Sequence, residues 1–272
     1  MGWKRGRDSE QPDPEQVAEE LAALAVQMER GPAGEPVVVW HQRGRQRARE
    51  LTTSVGGLLA KGGVAAGRGG KALADRLLEA APRIPVRDLA TLRAQHPDAA
   101  TPEELADRLV LGACRAAGAV GASIGAAAML PVPPAMPVEL AAEALAVAAV
   151  EIKLIAELHE VYGRPPSGTR TQRAGAYVTA WAERRGIDGA MLVAPASLAA
   201  VALGAEVRQK VRRRLVHSSL RRLPSLTPLL VGAGVGAVVN RRDTRKLAGE
   251  VRADLTGREP LQPDYWAAAL PG

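Results

Sequence analysis

Apolar residues recur at three- and four-residue intervals along most of this chain, and prolines and glycines divide the pattern into rods. Pro14 opens a pattern over 15–30 that places Leu21, Ala22, Leu24, Ala25 and Met28 on one side, and Gly31-Pro32 ends it. A basic stretch follows with Arg43, Arg45, Arg47 and Arg49 at every second position, then a Gly-rich run over 56–70. Shorter helical patterns over 71–81 and 86–95 lead to His96-Pro97. Thr101-Pro102-Glu103-Glu104 is a strong helix start, with a Thr cap, Pro at the first position and Glu three residues after the Thr. That helix is expected to run to about Leu130, where Pro131, Pro133, Pro134 and Pro137 force a turn. An unbroken pattern over 138–162 closes at Gly163 and Pro165-Pro166, so the two helices form a hairpin.

The second half repeats the theme. A helix is predicted over 171–185, with Tyr177 and Trp181 four apart, and another from Pro195 to about Leu220. Pro224 and Pro228 interrupt, and a last helix runs to about Thr256. Only Val37-Val38-Val39 is briefly ambiguous, so the predicted class is all-α: a multi-helix bundle with long hairpins and Gly-faced apolar helices. The predicted organisation is a disordered start (1–13), a loosely packed helical region (14–100), a helical domain (101–256) and a tail (257–272).

Two segments stand out inside those rods. Val120-Gly-Ala-Ser-Ile-Gly-Ala126 and Val231-Gly-Ala-Gly-Val-Gly-Ala237 are near copies, each charge-free and close to a proline cluster. Gly121 and Gly125, like Gly232 and Gly236, are four apart and share a helix face, where missing side chains let another backbone approach. Each glycine costs a helix about 1 kcal/mol against alanine. Tight helix contact, in or against a membrane or in a soluble core, offsets that cost.

Membrane spanning is a question of length and charge. Residues 223–240 lie without charge between Arg221-Arg222 and Arg241-Arg242, and as a helix would cover about 27 Å. The hydrocarbon core is roughly 30 Å thick. The pattern over 138–162 carries Glu139, Glu143, Glu151 and Lys153, and each charge near a bilayer centre costs about 2.5–3.5 kcal/mol. A spanning helix there is rejected. Partial insertion or peripheral attachment, with the arginine pairs at the headgroups, is the expectation. A soluble bundle with its Gly faces in the core stays open beside it.

Composition sharpens the picture. The chain has four Trp, three Tyr and no Phe, so its packing relies on small side chains. A net charge of +7 calls for an anionic partner, lipid headgroups or nucleic acid. Cys114 is the single cysteine, which excludes an internal disulfide and a Cys-rich metal site. The first residues lack an apolar signal core, and Gly6 stands where myristoylation needs Ser or Thr. The chain is therefore expected on the cytoplasmic side of the cell membrane.

Motifs for chemistry are few. Gly121-Ala-Ser123-Ile-Gly125 matches a serine-hydrolase elbow, followed by His159 and His217, but the elbow needs a strand-to-helix turn and the flanks read as helix. Gly67-Arg-Gly-Gly-Lys71 fails the phosphate-loop pattern at Ala65 and Ala72. His159-Glu160 lacks the second His of a zinc helix, and His159 reads as a partly exposed residue whose positive charge suits a helix C-terminus. No catalytic residue, cofactor or metal is expected. The basic face between Arg208 and Arg222 could meet nucleic acid, but it comes without the usual aromatic platform or binding module; acidic lipid fits better.

The order of these features resembles the EcsC family of bacterial helical proteins over about 101–256. The resemblance rests on the Gly-Ala helix, the proline hinge, Pro137-Val-Glu139, the run ending in Ile155-Ala-Glu-Leu-His-Glu-Val-Tyr162-Gly163, a basic helix, Leu223-Pro224, the Gly-rich helix and Asn240-Arg-Arg-Asp-Thr-Arg245. The family often has Asp where this chain has Glu139. The resemblance implies a membrane-associated accessory protein, without catalytic residues, that meets a lipid surface or a membrane-protein partner.

Overall fold

A computed structural model describes residues 80–127, 136–185 and 228–269, with isolated positions at 23, 27, 42, 43, 46 and 50. Side-chain surroundings are described for 80–122, 144–185 and 234–269. The described residues form a 3-10 turn, Ala81–Arg83, and six α-helices with no strand. These are α1 (Leu89–Gln95), α2 (Pro102–Ala127), α3 (Met136–Val161), α4 (Arg170–Arg184), α5 (Pro228–Thr256) and α6 (Tyr265–Ala268). The Gly-rich run over 56–70 and the pattern expected over 195–220 lie outside the described residues, as does the pattern over 15–30 apart from 23 and 27.

Local chemistry sets the helix ends. The Asp88 carboxylate accepts from the Thr91 amide at 2.8 Å, so α1 starts at Leu89 and not at 86 as the periodicity suggested. Thr101 Oγ1 accepts from the Glu104 amide at 3.2 Å, and Glu104 reaches back to the Ala100 amide. Thr169 and Gln172 make a full capping box at α4. Pro137, expected in the turn, lies in the first turn of α3, where the amide it lacks has no helical partner anyway. Gly163 terminates α3 at φ 63°, with its amide bonded to Glu160 O and the Arg164 amide to His159 O. That paired pattern is a Schellman cap and needs the left-handed residue glycine supplies.

Three long helices make the body. Arg252 of α5 bonds both Asp107 of α2 and Tyr162 just past α3, and Thr244 of α5 bonds Glu151 of α3. Hence α3 and α5 run in the same direction and α2 runs against both. Leu105, Leu109, Val120, Ile155, Leu158 and Val251 are wholly or almost wholly buried among many alanines. Small residues let the rods approach closely, and close approach replaces the missing aromatics.

Beyond α5 the chain returns to the body. The Leu261 amide donates to Gly163 O at 3.0 Å, and the Tyr265 ring lies where a Cβ on Gly163 would be. Arg93 donates to the carbonyls of Trp266 and Ala269 and sits 4.5 Å from the centre of the Trp266 ring.

Candidate functional site

The two glycine copies meet each other. A Cβ at Gly121 would lie 2.5 Å from Gly236 O, and one at Gly236 would lie 2.3 Å from Gly121 O. Each glycine is thus packed on the other's backbone. The Asn240 amide nitrogen donates to Ala117 O at 3.3 Å, and the Cys114 thiol to Arg241 O at 3.6 Å, so the antiparallel contact continues toward the arginines. Gly118 is occupied too: its missing side chain makes room for the aliphatic stem of Arg241. Gly125 and Gly232 lie on α2 and α5, with their surroundings outside the described residues.

At this level the bundle changes character. Arg241, Arg242 and Arg245 are exposed and Arg115 is half-buried. Burial, and then the Arg241 guanidinium beside it, lower the pKa of Arg115, which marks a place crowded with positive charge. Beyond it, 116–127 of α2 and 228–240 of α5 contain no charged residue, and 136–150 of α3 contains Glu139 and Glu143. All three segments point toward one end of the bundle and are about 18–22 Å long at the helical rise. Val238 there is 64% exposed, and Gly234 and Ala144 are exposed. Arg221 and Arg222 lie outside the described residues.

Buried ions lie on α3, Glu151 directly beside this level at Thr244 and Glu157 about 9 Å further along the helix. Glu151, fully buried on α3, accepts from Trp181 Nε1 at 2.8 Å, Thr244 Oγ1 at 2.8 Å and the Arg185 guanidinium. Glu157, 1% exposed, accepts from Arg87 Nε at 2.8 Å and Nη2 at 2.7 Å, and from the buried ammonium of Lys153. Burial alone pushes Glu157 up, but Lys153 and Arg87 together outweigh it and hold the carboxyl below its ordinary range. The sequence analysis counted Glu151 and Lys153 only as charges against a membrane-spanning helix; in the structure each is enclosed and paired. The i,i+4 spacing of Lys153 and Glu157 was the one local signal for the pair.

Other candidates resolve one by one. Ser123 lies within the helical backbone of α2, so the strand-to-helix turn that strains a hydrolase nucleophile is missing. His217 and the Gly67–Lys71 segment lie outside the described residues. His159, expected to be partly exposed and to tolerate a positive charge, is half-buried: its Nδ1 pairs with Arg164 O at 2.8 Å, and burial first of all lowers its pKa, favouring the neutral ring. Burial pushes the Cys114 thiol up despite Arg245 and Arg241, so it is not an activated nucleophile. Among the described residues no three His, Cys, Asp or Glu side chains are placed to hold a metal. Of the family-motif positions, Tyr162 is buried and accepts from Arg252 Nε at 3.2 Å, Gly163 caps α3, and Pro137 and Glu139 lie in the first turns of α3.

No family model, curated protein or solved structure matches this chain.

Proposed function

We propose that this chain is a non-enzymatic, membrane-associated helical protein that docks peripherally on an anionic lipid surface, the role its resemblance to the EcsC family implies. The observation that carries the reading is the arginine level at Arg115, Arg241, Arg242 and Arg245, set where the charge-free parts of α2 and α5 begin. Arginines bordering an apolar end match headgroups above acyl chains, each worth about 1 kcal/mol near an anionic surface. Among the described residues no helix is long and apolar enough to cross a membrane. Glu139 and Glu143 favour shallow docking over deep insertion, because a carboxylate is costly below the headgroups.

Flotation of the full chain with phosphatidylglycerol-containing and purely zwitterionic vesicles tests this. Binding is expected to the anionic vesicles, to weaken with salt, and to fall in an R242E/R245E variant that still melts cooperatively. Equal recovery with both vesicle types, or no recovery with either, refutes it. Duplex DNA at the same ionic strength is the competing arm, since a basic helix also suits phosphates. Tighter binding to duplex than to anionic vesicles would move the assignment to nucleic acid.

A further inference from the structure

A cavity of about 180 Å³ lies between the 3-10 turn, α3 and α4, on the side of the bundle that carries the buried ions. A void of about 150 Å³ is enough to hold benzene. Part of its wall is apolar and buried, from Ile84, Ile152, Ala156 and Ala174. Two polar side chains share that wall. Lys153 is 3% exposed and Tyr177 5% exposed. The ammonium has three N–H donors and gives one to Glu157. The Tyr177 hydroxyl has no hydrogen-bond partner among the described residues. Its oxygen is not enclosed, so the hydroxyl faces the open side of the cavity, where water or a guest can bond it. Burial pushes its pKa up to about 12, which keeps it a donor throughout the physiological range.

Charge at the cavity selects the guest. Arg170 and Arg173 balance Asp88 and Glu160 in the polar part of the lining, and behind it Lys153 and Arg87 place two cations against the one carboxylate of Glu157. Asp88 is committed to capping α1. Burial raises the pKa of Glu160, against the opposing pull of Arg173, so this carboxyl is the lining group most easily neutralised. The balance leaves one positive charge for an incoming group, beside donors and next to apolar wall.

We infer that this cavity binds a small organic monoanion, a carboxylate on a body of about benzene size, with Lys153 and Tyr177 donating to the head and Ile84, Ile152 and Ala156 enclosing the body. The site uses none of the arginines argued for membrane docking, so the two are tested separately. Benzoate titrated into the full chain, followed by NMR of protein and ligand, is the test. Saturable binding with a Kd on the order of 1 mM is expected for so few heavy atoms. Benzylamine, with the same body and opposite charge, and inorganic phosphate, with no body, are expected not to saturate. Tyr177→Phe keeps the ring packing and is expected to weaken benzoate about tenfold, the worth of one hydrogen bond to a charged acceptor. Ala174→Leu fills the cavity and is expected to abolish binding in a protein that still melts cooperatively. The inference is overturned by an absence of saturable benzoate binding, by benzylamine or phosphate binding as tightly, or by wild-type affinity in either variant.

Discussion

Glycine-to-alanine substitution should change sign between positions on α5 that are only two residues apart. At Gly236 the added methyl would sit 2.3 Å from Gly121 O, and at Gly121 it would sit 2.5 Å from Gly236 O. Ordinary contact begins at about 3.4 Å, so α2 and α5 must part by roughly 1 Å there. The obstructing atoms belong to backbone and have no rotamer to escape into. Overpacking of this kind costs about 1–3 kcal/mol, and the gain in helix propensity returns about 1 kcal/mol. Separation also stretches the Asn240–Ala117 bond, worth about 1 kcal/mol. Each of G121A and G236A should therefore lose about 1–3 kcal/mol.

The controls lie on the same helix. Gly234 and Gly249 have nothing within 4 Å of an added Cβ. G234A and G249A should gain about 0.4–1 kcal/mol from helix propensity and a less flexible unfolded chain. At about 2–4 °C per kcal/mol, thermal melts followed by far-UV circular dichroism separate the two pairs clearly. The double variant G121A/G236A should lose less than the sum, since both methyls open one gap. Melting of G121A and G236A at or above the wild-type temperature would refute the close contact.

Removal of the carboxylate in Glu157→Ala leaves Arg87 and Lys153 buried without their counter-charge and should cost about 3–5 kcal/mol, measured by urea denaturation. Acid should act through two groups of the same sign. His159 has a folded pKa below its ordinary 6.5, so its contribution is full above that value and declines as pH falls through it; Glu157, held below 4.5, adds a second loss as pH falls further. Glu160 is shifted the other way and partly offsets the second, so the wild-type-minus-H159Q difference in melting temperature against pH isolates the histidine step. Arg93→Ala removes two carbonyl bonds and the Trp266 stacking, and should raise amide exchange over 261–269 while α2 stays protected. Gly163→Ala meets both a left-handed φ and the Tyr265 ring and should lower the melting temperature by at least the 2–4 °C of about 1 kcal/mol.

The legible parts of the fold were those written in local chemistry. Thr101 and Gly163 act through neighbours a few residues away, so the ends they set could be read from the string, whereas the equally local box of Thr169 and Gln172 was passed over. The near-identical glycine segments marked surfaces of close approach, but which surface meets which is a property of topology: the copies pair with each other across the two halves of the chain. The buried charges were least legible. A glutamate on a helix looks the same in sequence whether it faces water or two guanidiniums, and the partners of Glu157 and Glu151 include Arg87 and Arg185, 70 and 34 residues distant. The cavity was illegible for the same reason, since three separate elements build its wall.

Two kinds of force thus hold one bundle at adjoining levels, and salt separates them. Near Gly121 and Gly236 the helices are joined by backbone contact, and the cations there are the exposed Arg241, Arg242 and Arg245. Toward α1 and α4 they are joined by Glu151 and Glu157, which are enclosed with their partners. Added salt screens charges in water over about 8–10 Å and acts far less on pairs removed from water. Raising the ionic strength should release the protein from anionic vesicles while its melting temperature stays nearly constant. A parallel fall of both would mean that the ions of the core are wet, and that the enclosed ionic network argued for α3 is wrong.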